Sequence, residues 1–242
     1  MIKLILNRRG FALAMILGLL PVLFGGFFTT SLAIGVIQSD LKFKFLCRGE
    51  GLRAQEKVSH HLQKLMSLNP RAAQLRFQIQ SARIALAAAM AAQNPVAVTK
   101  LSQRIAHLAK LQSSLDIRQK QLINESNREL STRYHRTQNL LRTNGAQALK
   151  SFPGLLFRFE NQSGKLPRLA VEPDSPGLAP LYRLQAGFEQ KQTLAHRWQF
   201  KLAFRPPISR YIRTNFGFEK SCRTTLRQKG SIWVPKIAKD KF

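Results

Sequence analysis

Two cysteines and five histidines are the residues of this 242-residue chain most suited to specific chemistry. Cys47 and Cys222 are its only thiols, and no CxxC or Cys/His cluster has zinc-ligand spacing. In an oxidising compartment the pair could close one disulfide, tying the end of an N-terminal apolar run to the C-terminal region. Two separate thiols are the alternative. His60 and His61 are adjacent, so on a helix they point about 100° apart and do not share a metal. His107, His135 and His196 have no Cys or carboxylate beside them at ligand spacing. Glu172 and Asp174 lie two apart, in a Pro-rich stretch. No GxSxG, P-loop, HExxH or GxGxxG pattern occurs. The sequence therefore names no catalytic, cofactor-binding or metal-binding residue, and the expectation is a protein that is not an enzyme.

The element that must place everything else is N-terminal. Gly10 to Ser39 is 30 residues without a charge. As a helix it rises about 45 Å, more than the ~30 Å hydrocarbon core of a bilayer. Residues 1–9 form a short basic region with Lys3, Arg8 and Arg9, which the positive-inside rule keeps in the cytoplasm. Residues 10–39 then read as a transmembrane helix, with the body outside the inner membrane. A cleaved signal peptide ending at Ser31-Leu32-Ala33 is a second reading. As a transmembrane helix the segment would be a plain uncleaved anchor, with Ala14 and Gly18 as a small-xxx-small contact face.

Arg8-Arg9-Gly10-Phe11 before an apolar helix resembles the N-terminal segment of type IV prepilin-like proteins. With Pro21 in mid-segment it also resembles the TadE/TadG-like proteins of tight-adherence pilus systems. The resemblance covers about thirty residues. It implies processing between Gly10 and Phe11, and a place in a pilus or secretion assembly. Met15 stands where the prepilin pattern carries Glu.

Residues 40–150 read as a helical, coiled-coil region. Asn69-Pro70 and Asn94-Pro95 each look like an N-cap followed by Pro at the first helical position. They divide the region into helices near Arg53–Ser67, Pro70–Ala92 and Pro95–Thr143, the last ending before Asn144-Gly145. Leu68, Ala72, Leu75, Ile79, Ala82, Leu86 and Ala89 make a 4/3 seam. Leu101, Leu108, Leu115 and Leu122 recur every seven residues, and the spacing slips before Leu130, Tyr134 and Leu141. This leucine stripe fits either a helical hairpin that buries its own seam or a helix that meets a protein partner or a second copy. Arg118, Arg128, Arg133, Arg136 and Arg142 read as a mostly solvated basic surface.

Residues 151–242 read as a small antiparallel β domain. Leu155, Phe157 and Phe159 alternate with polar or small positions. Val171–Pro180 has loop composition. Trp198, Phe200, Leu202 and Phe204 form a period-two strand whose aromatics belong to a core. Cys222–Leu226 and Ser231–Ile237 make a hairpin turning at Lys229-Gly230. The expected fold is thus α+β: anchor, long helical hairpin, antiparallel sheet. Thirty-nine basic against twelve acidic residues give a net charge of +27, spread along the whole chain. Such a field attracts anionic lipid, nucleic acid and acidic envelope polymers alike. Binding of an anionic polymer, such as DNA during uptake or the cell envelope, is therefore the alternative function. An envelope enzyme whose residues are distant in sequence is a further one. Arg197, Lys201, Arg205, Arg210 and Arg213 interleave with aromatics, but alternation puts cations and rings on opposite faces. No nucleic-acid motif results.

Overall fold

The computed structural model describes residues 8–149, 155–162, 166–204, 210, 216–230 and 232–238. Helix α1 runs unbroken over Arg8–Ser67, α2 over Asn69–Ala91 and α3 over Pro95–Leu149. A four-stranded antiparallel sheet follows, in the order β1-β4-β5-β6, with β1 at Leu155–Gln162, β4 at Leu194–Phe204, β5 at Phe216–Lys229 and β6 at Ile232–Ile237. A small pair, β2 (Val171–Pro173) and β3 (Tyr182–Leu184), and the short helix α4 (Phe188–Lys191) lie between β1 and β4. Long helices with a small antiparallel sheet give the expected α+β class.

The apolar stretch of α1 is long and apolar enough to cross a membrane, with a mean hydropathy of 1.9 over its best window. None of that window is buried by the rest of the chain, and Phe27 is 77% exposed. The hydroxyls of Thr29 and Thr30 donate back to the carbonyls of Gly25 and Gly26 at 2.8–3.0 Å. That satisfies them without water. The helix does not stop and restart near Arg53. It passes through Gly49 and Gly51, and its internal proline, Pro21, lies far upstream in the apolar stretch.

Both glycine-containing helix segments were misjudged by local signals, and the reason is packing. A Cβ on Gly51 would lie 2.5 Å from Thr224 Oγ1, and one on Gly145 would lie 2.5 Å from Phe159 Cδ1. Gly51 lets α1 cross β5 closely. Gly145 lets Phe159 approach α3, and the helix continues through it to Leu149 instead of ending at Thr143. Gly145→Ala should cost roughly 1–3 kcal/mol, the usual penalty for overpacking. Thermal unfolding followed by circular dichroism checks this; an unchanged midpoint would show that Phe159 moves aside freely.

The helical hairpin is as expected at its turn. Asn94 Oδ1 accepts from the Ala97 N–H at 3.1 Å, a true N-cap, and Gln93 takes φ 50°. Asn69 does not cap α2. Leu68 holds that place with no side-chain bond, while Asn69 turns sideways to bond the N–H and C=O of Tyr182 at 3.0 and 2.8 Å.

Residues of the helices and of the sheet pack together in shared clusters. Ala54, Val58 and Leu62 of α1 pack with Leu130 and Tyr134 of α3 and with Leu194 and Leu226 of the sheet. Phe43, Cys47, Leu141, Trp198, Phe200 and Cys222 form a second cluster nearer the apolar stretch. Period-two alternation produces this: Leu194, His196, Trp198 and Phe200 face the helices and are buried. The Trp198 and Phe200 rings are thus core; the side chains of Leu202 and Phe204 lie outside the described residues.

Candidate functional site

Three assemblies of side chains could carry function: the hairpin, the arm that braces it, and a groove on the outer sheet face. The leucine stripe is used inside the chain. Leu108 and Leu115 pack on Ala72, Leu75, Ile79 and Ala82 of α2, and Leu122 joins the α1 cluster. Leu101 is half-buried. α3 changes partner between Leu115 and Leu122, from α2 to α1 and the sheet, and the spacing slips after that, before Leu130. Among the described residues the buried hairpin cluster reaches no further toward the tip than Ala82 and Leu108. Ile84, Met90 and Val96 are 65%, 56% and 63% exposed beyond it.

The Pro-rich stretch is a structured arm, not a plain loop. β2 pairs with β3 antiparallel, and the arm is fastened across α2 and α3. Arg76 grips both carboxylate oxygens of Asp174 at 2.7 and 3.0 Å. Asp174 also accepts from the Leu181 N–H at 2.8 Å. These bonds, the Arg76 guanidinium first, hold its pKa down to about 2. Gln112 and Gln119 donate to the carbonyls of Leu178 and Pro180, and Asp116 accepts from the Ala179 N–H. Short-range pattern could not reveal this, because every fastening joins residues at least sixty positions apart or hides in a proline-rich string.

The basic surface on α3 is partly spent on internal pairing. Arg133 bonds Glu50 at 2.7 Å and Glu129 at 2.9 Å, and Arg136 approaches Glu50 at 3.9 Å. Glu50 is buried, so it is retained only by such charge-assisted bonds. A buried amide pair does similar work opposite. Gln55 donates to the carbonyls of Gln192 and Thr224, and Gln192 accepts from the Ala170 N–H.

Cys47 and Cys222 form a disulfide with Cα atoms 6.3 Å apart, joining α1 to β5. Gly10 and Phe11 fall near the start of α1, and their side chains lie outside the described residues. Among the described residues no group of three His, Cys, Asp or Glu side chains could hold a metal ion. His61 meets Ser126 at 3.3 Å and Glu125 at 3.7 Å, whereas His60 is exposed. His196 is buried and stacked on Tyr134 at 4.7 Å between ring centroids.

The outer face of the sheet carries a cavity of about 1650 Å³. Its floor is the odd-numbered set, Ala195 and Arg197 of β4 with Arg223 and Thr225 of β5. Lys236 of β6 closes one side; the Leu166–Val171 segment and α4 form the wall. The cavity is not legible in the sequence, because its members come from segments as far apart as Asn127 and Ala238. No protein-family model, curated protein or solved structure matches this chain.

Proposed function

We propose that this chain is a single-pass protein of the inner, cytoplasmic membrane whose body lies outside the cytoplasm. In this reading it is a structural or accessory component of a pilus or secretion assembly of the tight-adherence kind. The observation that carries the reading is the continuity of α1, which joins the uncharged segment to the body with no flexible linker. From Ser39 the helical path to the hairpin turn is roughly 80 Å at 1.5 Å per residue. A rigid connection of this kind suits a protein that positions something at a fixed height above the membrane. The Cys47–Cys222 pairing supports an oxidising compartment for the body. The exposed Ile84, Met90 and Val96 at the far end offer an apolar contact for a partner helix.

Replacing Ile84 and Val96 together by Glu tests the reading. The doubly substituted protein should remain in the membrane fraction with an unchanged unfolding midpoint. Assembly output, measured as surface pili or secreted product, should fall at least tenfold. Undiminished output, or recovery of the native chain from the soluble cytoplasm, would overturn the reading.

A further inference from the structure

We infer that the outer face of the sheet is a binding groove for an acidic glycan, a sugar chain carrying carboxylate or phosphate groups. The charge balance of the groove is the first observation. Arg168, Lys191, Arg197, Arg223 and Lys236 line it against one carboxylate, Glu189. None of the five cations forms an ion pair among the described residues, although elsewhere Glu50, Asp116, Glu129, Glu160 and Asp174 are each matched to a cation.

The register of the strands is the second observation. Ala195 faces Arg223 and Arg197 faces Ser221, so Arg197 and Arg223 are diagonal neighbours on one face. Thr225 faces Lys236, which makes Arg223 and Lys236 diagonal neighbours on the next strand pair. Diagonal partners lie about 7–8 Å apart. Three like charges thus cross the sheet in a row, an arrangement that attracts anions to the space between them. The Arg223 Nε is moreover buried with no hydrogen-bond partner among the described residues. A buried guanidinium nitrogen in that condition calls for an acceptor.

The remaining lining decides which polyanion. Asn127, Gln162, Gln185, Gln190 and Thr193 surround the row with amides and a hydroxyl. Asn127 Oδ1 accepts from the Leu169 N–H, and Gln185 and Thr193 donate to the carbonyls of Val171 and Glu189. The amides of Gln162 and Gln190 and the Asn127 NH2 are therefore the groups that suit sugar hydroxyls, beside the apolar Leu166, Leu169 and Val171. No aromatic ring lines the groove among the described residues, so nothing there stacks on nucleic-acid bases. At about 1650 Å³ the cavity exceeds what one small ion needs. Its lining shares no residue with the hairpin tip and does not depend on that surface having a partner.

The test uses the full chain in detergent micelles and a fluorescently labelled oligogalacturonate, read by anisotropy. A neutral maltooligosaccharide and a mixed-sequence single-stranded DNA of equal charge are run beside it. Oligogalacturonate should bind saturably and more tightly than DNA, and the neutral sugar should not bind. Changing Arg197, Arg223 and Lys236 together to Gln should weaken oligogalacturonate binding at least tenfold. Changing Arg83, Arg104 and Lys110 to Gln removes the same charge from the hairpin and should alter affinity less than twofold. Equal losses in the two variants would mean diffuse attraction to the net charge and overturn the groove. DNA binding at least as tightly as oligogalacturonate, with the groove variant weakening it, would overturn the glycan. Should the groove variant fail to fold, the single exposed substitution Arg197→Gln should still weaken binding about threefold while the midpoint stays fixed; no change in affinity would count against the groove.

Discussion

Removing the Cys47–Cys222 disulfide, by reduction or by the double substitution to Ala, should lower the unfolding midpoint of the body by about 10 °C. The bond closes a loop of 175 residues and holds β5 against α1. In the chain-entropy account, freeing so long a loop stabilises the unfolded ensemble by roughly 3–5 kcal/mol. For a chain of this size each kcal/mol moves the midpoint by about 2–4 °C. Both sulfurs lie in the cluster of Phe43, Leu141, Trp198 and Phe200, so packing loss adds to the entropy. Trp198 fluorescence reports that cluster directly. Superimposable melts of the oxidised and reduced forms would show that packing alone fixes the sheet on α1.

Acidification from pH 6.5 to pH 4 should cost the folded state about 3 kcal/mol through His196 alone. Burial disfavours the charged ring and pushes its pKa down from 6.5 to about 4. The unfolded chain binds this proton near pH 6.5, and the folded chain only near pH 4. Stability is therefore fully present above 6.5, falls across that window and loses nothing further from this group below it. A shift of that size corresponds to about 3 kcal/mol at 1.36 kcal/mol per unit. His196→Phe keeps a ring against Tyr134 and removes the proton. Urea unfolding at pH 7.5 and pH 4.5 should show a large drop for the native chain and a much smaller one for the variant. Equal drops would place the acid sensitivity elsewhere. Asp174 cannot mimic the effect, because its contribution is lost only as pH falls from 3.8 toward 2.

The parts legible in the sequence were those with a strong local period. The α2 seam, the turn at Asn94, the Trp198 strand and the β5–β6 turn at Gly230, where φ is 63°, all follow from spacing and turn chemistry. The continuity of α1 was not legible, since Gly49 and Gly51 weaken helix propensity and only the approach of Thr224 explains Gly51. The role of Asn69 was misread because Asn-Pro is a good cap signal, and the backbone of Tyr182, 113 residues away, took the side chain instead. The groove was invisible for a related reason: its cations look like ordinary surface charge until strand pairing sets them in a row.

By itself the sequence determined the uncharged Gly10–Ser39 segment, the mostly helical middle, the antiparallel end and the large positive charge. These are consequences of composition and of periods of 3.6 and 2, which act over a few residues. Tertiary structure alone decided that the leucine stripe is spent within the chain, that Cys47 meets Cys222, and that Arg197, Arg223 and Lys236 of three strands line one cavity. Each of those outcomes depends on which distant surfaces close on one another. That choice is made by the summed burial of shared cores such as Val58, Leu130 and Leu226, and no short window of residues contains it.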